Sequence, residues 1–251
     1  MRGFLKQIHF MKNTVLALAA LLFIVACKKE DHSDANVHIT GNIKGFKKGQ
    51  LFIKKYNDTA LVNIDTIVID GDSHFESHIK LDSPEMLYLV IDRVKTVSVD
   101  NDLPFFAEPG TITIETTKDE FFAKAKITGS ENQKLYEEFK AVKNKFVNDN
   151  LDLTKLSYEA GKNVARQDSI ALKSDQLKKR RYLHTANFAL NHANHEVGPY
   201  VAISEIAQDI NLKYLDTINK SMTPKVAKSR YGKMLTEVIA ERRKLEAVPA
   251  Q

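Results

Sequence analysis

An α+β fold, an antiparallel β-sandwich or open barrel followed by a small all-α domain, is predicted by three features of this chain. Apolar residues alternate with period two through residues 37–128, turn residues interrupt them at strand-length spacing, and at Gly129-Ser130 the period changes to 3.6. The expected plan is a signal at 1–26, a tether at 27–36, a β-sandwich at 37–128 and a helical domain at 129–251.

The first element is not part of the fold. Residues 15–26 form a twelve-residue apolar run, preceded by Arg2, Lys6 and Lys12 and followed by Cys27, the only cysteine. A bilayer span needs about 20 apolar residues, so the run reads as a secretory signal with a basic start and a small residue before the cut. Ile24-Val25-Ala26-Cys27 resembles the lipobox of bacterial lipoproteins. That resemblance implies diacylglycerol attachment to the Cys27 thiol and cleavage of the bond before it, hence a membrane anchor. Lys28-Lys29-Glu30-Asp31-His32-Ser33-Asp34 has nothing to bury and reads as a flexible tether. Its charge order is similar to the export signals of Bacteroidetes surface lipoproteins.

Charge excludes one partner class. The chain carries a formal +5, and removing Arg2, Lys6 and Lys12 with the signal takes it to +2. So balanced a surface makes no electrostatic case for nucleic acid. Lys178-Lys179-Arg180-Arg181 and Arg242-Arg243-Lys244 have the spacing of solvated helix faces. With Cys27 acylated, no disulfide, thiolate cluster or cysteine nucleophile is expected.

The strands follow in order. Val37 and Ile39 lead to an expected turn at Gly41-Asn42, and Leu51-Phe52-Ile53 follows Lys48-Gly49. Val62, Ile64, Thr66 and Val68 are expected on one face. They run into Asp70-Gly71-Asp72, a hairpin signal, and Phe75, Ser77, Ile79 and Leu81 return. Apolar runs at 86–91 and 94–99 come next, then Pro109-Gly110, Ile112 and Ile114, and a last strand over 121–127.

Helical periodicity then takes over. Ser130 and Gln133 have capping-box spacing, and Leu135, Tyr136, Phe139, Val142 and Phe146 form a stripe. A second helix is expected over 160–191, a third from Gly198-Pro199, a fourth around Leu212, Leu215 and Ile218, and a fifth from Pro224 through Ile239.

Five segments carry a family resemblance: residues 37–45, 65–75, 105–110 (Phe-Phe-Ala-Glu-Pro-Gly), 127–132 (Ile-Thr-Gly-Ser-Glu-Asn) and 229–233 (Ser-Arg-Tyr-Gly-Lys). Together they resemble the DUF4369 lipoproteins of Bacteroidetes. In that family a β-plus-helical region commonly precedes a thioredoxin-like domain. The sequence ends at Gln251, about where that domain would begin, and none of the five segments is catalytic. What the resemblance implies is the envelope location and the layout.

Chemistry-bearing constellations are few. His192, His195 and Glu196, with His184 two turns earlier, are the best metal candidate because i and i+3 share a helix face. The helix dipole accounts for histidines near a helix end equally well. His74 and His78 fall on one face of a strand, where solvent exposure explains them. Ser229 is in a helix-start context, and the pairs Glu137-Glu138 and Asp149-Asp152 lack a cleft signal. No phosphate loop, dinucleotide fingerprint or calcium loop is present, so no cofactor is expected. The leading expectation is a non-catalytic module, lipid-anchored to the outer membrane and facing the periplasm or the surface, that binds a protein, peptide or glycan. The alternatives are an accessory that positions a separate thioredoxin-like oxidoreductase, and a hydrolase.

Overall fold

The strands, in chain order, are β1 (Val37–Lys44), β2 (Lys48–Asn57), β3 (Ala60–Asp70), β4 (His74–Ile79), β5 (Glu85–Ile91), β6 (Asp102–Ala107), β7 (Gly110–Thr117) and β8 (Lys126–Thr128). They form two four-stranded sheets, β4-β1-β7-β8 and β3-β2-β5-β6. The computed structural model describes residues 34–57, 59–92, 99–208 and 210–247; Cys27 and the run at 94–98 lie outside these. Ladders are antiparallel except β1 with β7, which is parallel.

Both sheets turn apolar residues inward. Ile39, Ile43, Phe75, Ile112 and Ile114 of the first meet Leu51, Ile53, Leu87, Leu89 and Phe105 of the second in a single core. This is the sandwich that period-two alternation predicts.

Four details differ from the sequence reading, each for a physical reason. Gly41-Asn42 is not a turn but the middle of β1, paired with Phe75 and His74 on one side and Ile114 and Glu115 on the other. A Cβ at Gly41 would sit 1.9 Å from the Ile114 carbonyl oxygen, so glycine serves close strand approach there. Asp70-Gly71-Asp72 joins no hairpin: β3 and β4 belong to different sheets. The turn is a corner between sheets, with Gly71 at φ +99° and its N–H donating to the Lys47 carbonyl at 2.7 Å.

The third difference is a register shift at Ile53/Lys54 in the β2–β3 ladder. Ile64 is the extra, unpaired residue of β3, and because an extra residue swaps the faces of a strand, Ile67 and Ile69 beyond it pack inward with Ile64, leaving Val68 68% exposed. Fourth, residues 121–124 are turn rather than strand. Phe121 still reaches the core, and the Asp100 carboxylate accepts from the backbone N–H groups of Phe121 and Phe122.

Helices follow: α1 (Glu131–Ala160), α2 (Val164–Asn191), α3 (Val197–Glu205), α4 (Leu212–Ser221), α5 (Pro224–Lys228) and α6 (Arg230–Glu246). Ser130 accepts from the Gln133 N–H at 3.0 Å, as a capping residue should. The other half of the capping box is missing because the Gln133 side chain accepts from the Phe106 N–H at 2.7 Å instead, tying α1 to β6. The expected fifth helix is two, since Ser229 turns extended between α5 and α6 and caps the latter.

Helix packing explains the outer face of the second sheet. Phe105 and Phe106 are consecutive, hence on opposite faces, yet both are fully buried. Phe105 belongs to the sandwich core; Phe106 and Met86 pack with Leu135, Phe139, Phe188, Val197, Val201 and Tyr231 of the helices. The order is thus sheet, sheet, helices. No helix among the described residues is long and apolar enough to cross a membrane.

Candidate functional site

Glu85 opens β5 and is buried to 5% exposure. A carboxylate so placed needs cations, and it has two: Lys55 Nζ at 3.3 Å and Arg230 Nη1 at 2.9 Å. Arg230 also donates to the Tyr56 carbonyl, and its N–H donates to Ser83 Oγ at 3.2 Å. One residue on, the Tyr231 hydroxyl accepts from the Met86 N–H at 2.9 Å. Burial pushes the Tyr231 phenol well above its ordinary range, with the Met86 bond a smaller opposing effect. Ser229-Arg230-Tyr231 therefore works as a clasp between α6 and the β4–β5 connection.

Next to the clasp, the segments Phe106-Ala107-Glu108-Pro109 and Ser130-Glu131-Asn132 meet. The Glu108 carboxylate accepts from the Glu131 N–H and from Asn132 Nδ2 at 2.6 Å. The same amide nitrogen donates to Glu196 Oε2 at 3.3 Å, and Asn132 Oδ1 accepts from the Val197 N–H at 2.9 Å. Asn132 is 2% exposed and Glu196 3%. Oε1 of Glu196 has no hydrogen-bond partner among the described residues.

Ser229 and Arg230 of the clasp, together with Glu196, border a cleft of about 660 Å³. Lys55, Glu85 and Arg230 lie on one wall, Lys225, Lys228 and Lys233 come from α5 and α6, and Glu196 and Pro109 are part of the lining. Apolar contacts come from Leu81, Pro84 and Met234. Its volume falls in the range of small-ligand sites. Among the described residues, the two serine hydroxyls of the cleft hold backbone: Ser229 Oγ donates to the Val226 carbonyl at 2.7 Å and Ser83 Oγ accepts from the Arg230 N–H.

The histidines and Glu196 considered for a metal do different things. His184 stacks on Phe139 with ring centroids 6.0 Å apart, and His192 packs on Phe188 at 4.4 Å. Burial lowers both imidazole pKa values, with the His195 charge adding to the effect on His192. Glu196 instead meets Asn132. Among the described residues, no group of three or more His, Cys, Asp or Glu is placed to hold a metal ion. Glu137 pairs with Lys140 at 2.8 Å, while Asp149 and Asp152 border a shallow surface groove.

His74 and His78 lie together on the outer face of the first sheet, and His38 of β1 joins them. His38 and His78 are cross-strand partners with rings stacked at 4.4 Å. Glu76 accepts from His74 at 3.2 Å; that bond, more than the nearby His38 and His78, lowers its carboxyl pKa.

The cleft lysines were missed in the sequence, where lysines on helices read as solvated. Their signal was local: Lys225 and Lys228 share a face at i and i+3 immediately before Ser229-Arg230-Tyr231-Gly232-Lys233.

Residues 37–136 match the family model described as Domain of unknown function (DUF4369). The match spans the sandwich and the first turns of α1, including Glu85, Glu108 and Asn132. No curated protein and no solved structure matches the chain.

Proposed function

We propose that this chain is a non-catalytic lipoprotein of the bacterial cell envelope, anchored to the outer membrane through Cys27, whose sandwich and helices together form a binding module. The ligand site is the cleft between the clasp and α5–α6. One observation carries the reading: this cleft of about 660 Å³ is lined by charged groups of both signs, several without partners among the described residues. Among the described residues, Lys225, Lys228 and Lys233 make no ion pair, unlike Lys55 and Arg230. Packing alone has no need of them. Binding is favoured over hydrolysis because both serines of the cleft are engaged with backbone groups.

A thermal-shift screen of the residues after Cys27 with peptides, glycans and amino acids tests the binding reading. A ligand that stabilises the wild type but not Lys228→Glu supports it; a screen without stabilisers, or with stabilisers indifferent to the variant, overturns it. The anchor is tested separately. Palmitate labelling should be lost in Cys27→Ser, and label retained at the wild-type level would remove Cys27 as the attachment point.

A further inference from the structure

Glu196 is a buried group on the cleft whose hydrogen bonding is incomplete. It is 3% exposed, it lines the cleft, and its Oε1 lacks a donor among the described residues. A buried oxygen left without a hydrogen bond is destabilising, and more so when the group is charged. The surroundings make the deficit larger. Asn132 divides one neutral amide between the carboxylates of Glu108 and Glu196, so two acidic groups share a donor that carries no charge. Nothing in that node balances their charge, and a cationic N–H donor would.

We propose that the cleft takes a short peptide by its ammonium group, which donates to Glu196 Oε1, while the peptide's carboxylate lies among Lys225, Lys228 and Lys233. This rests on the binding reading above and names its ligand class. Size agrees: a cleft of about 660 Å³ holds a drug-sized molecule rather than an inorganic ion. The sign pattern agrees as well, because a glycan without charge satisfies neither Glu196 nor the three lysines. Leu81, Pro84 and Met234 offer apolar contact for side chains between the two ends.

An ammonium can come from a peptide N-terminus or from a lysine side chain, and three probes separate these. Isothermal titration calorimetry is run with Ala-Ala-Ala, with N-acetyl-Ala-Lys-Ala and with N-acetyl-Ala-Ala-Ala. One of the first two should bind at least tenfold more tightly than the third, and which one does so identifies the source. Glu196→Gln should abolish that difference, and amidating the peptide C-terminus should weaken binding to the wild type but not to Lys225→Gln/Lys228→Gln. Equal affinity for all three peptides, or binding by none, overturns the proposal. Should Glu196→Gln not fold, the wild-type comparison still decides. If no peptide binds while another class stabilises the wild type in a Lys228-dependent way, this proposal fails and the binding reading stands; if nothing of any class binds, both fail.

Discussion

The two sheets of the sandwich share a core but have unlike outer faces. On the first, His38, Thr40, His74, Glu76 and His78 lie on the outward face, so β1 and β4 alternate between buried and more exposed positions, with Ser77 the polar residue on the buried side. On the second, Met86, Tyr88 and Phe106 lie under the helices, and β5 and β6 are buried on both sides. The difference teaches where a helical layer docks: alternation breaks down at the strands it covers. A doubled aromatic such as Phe105-Phe106 marks the place.

Three measurements test that contrast, taken from the largest effect down. Phe106→Ala should destabilise by about 3–5 kcal/mol in urea unfolding, because the ring fills the space among Tyr136, Tyr200 and Tyr231, whose centroids lie 5.8, 5.1 and 6.1 Å away. Thr40→Ala on the opposite sheet should change stability by about 0.5 kcal/mol or less; equal losses at the two sites would break the comparison. Tyr231→Phe should cost about 2 kcal/mol, since it keeps the ring but leaves the buried Met86 N–H without an acceptor. A variant as stable as wild type would show that the clasp contributes only by packing.

The third measurement concerns pH. Burial lowers the pKa of His184 below the ordinary 6.5, so the unfolded chain takes up the proton more readily than the folded one. Stability due to the neutral imidazole is therefore complete above about 6.5 and declines as pH falls below it. His184→Leu should flatten the melting temperature between pH 7 and 5. A profile that keeps its full slope would place the acid sensitivity elsewhere.

How much of this was legible in the sequence depends on distance along the chain. The stripe from Leu135 to Phe146, the cap at Ser130 and the alternation of β1 depend on neighbours within a few residues, and each is found. The Gly71 corner, the Gly41 approach and the face swap after Ile53 depend on a partner strand that no local pattern names. The site obeys the same rule. Ser229 was readable as a helix cap, whereas the Glu85–Arg230 pair joins residues 145 positions apart. Glu196 stood out in the sequence, but beside histidines that turn to other neighbours.

The parallel ladder between β1 and β7 bears on mechanics. β1 is paired along its length with β7 on one side and through six residues with β4 on the other. Just before it, Asn36 exchanges hydrogen bonds with the Leu81 backbone at 2.8 and 2.9 Å, and its carbonyl accepts from the Gly110 N–H. Tension arriving from the N-terminal side first loads this latch and then draws on a strand gripped from both flanks. Many hydrogen bonds must then yield together rather than one at a time, which raises the force at which the sandwich opens.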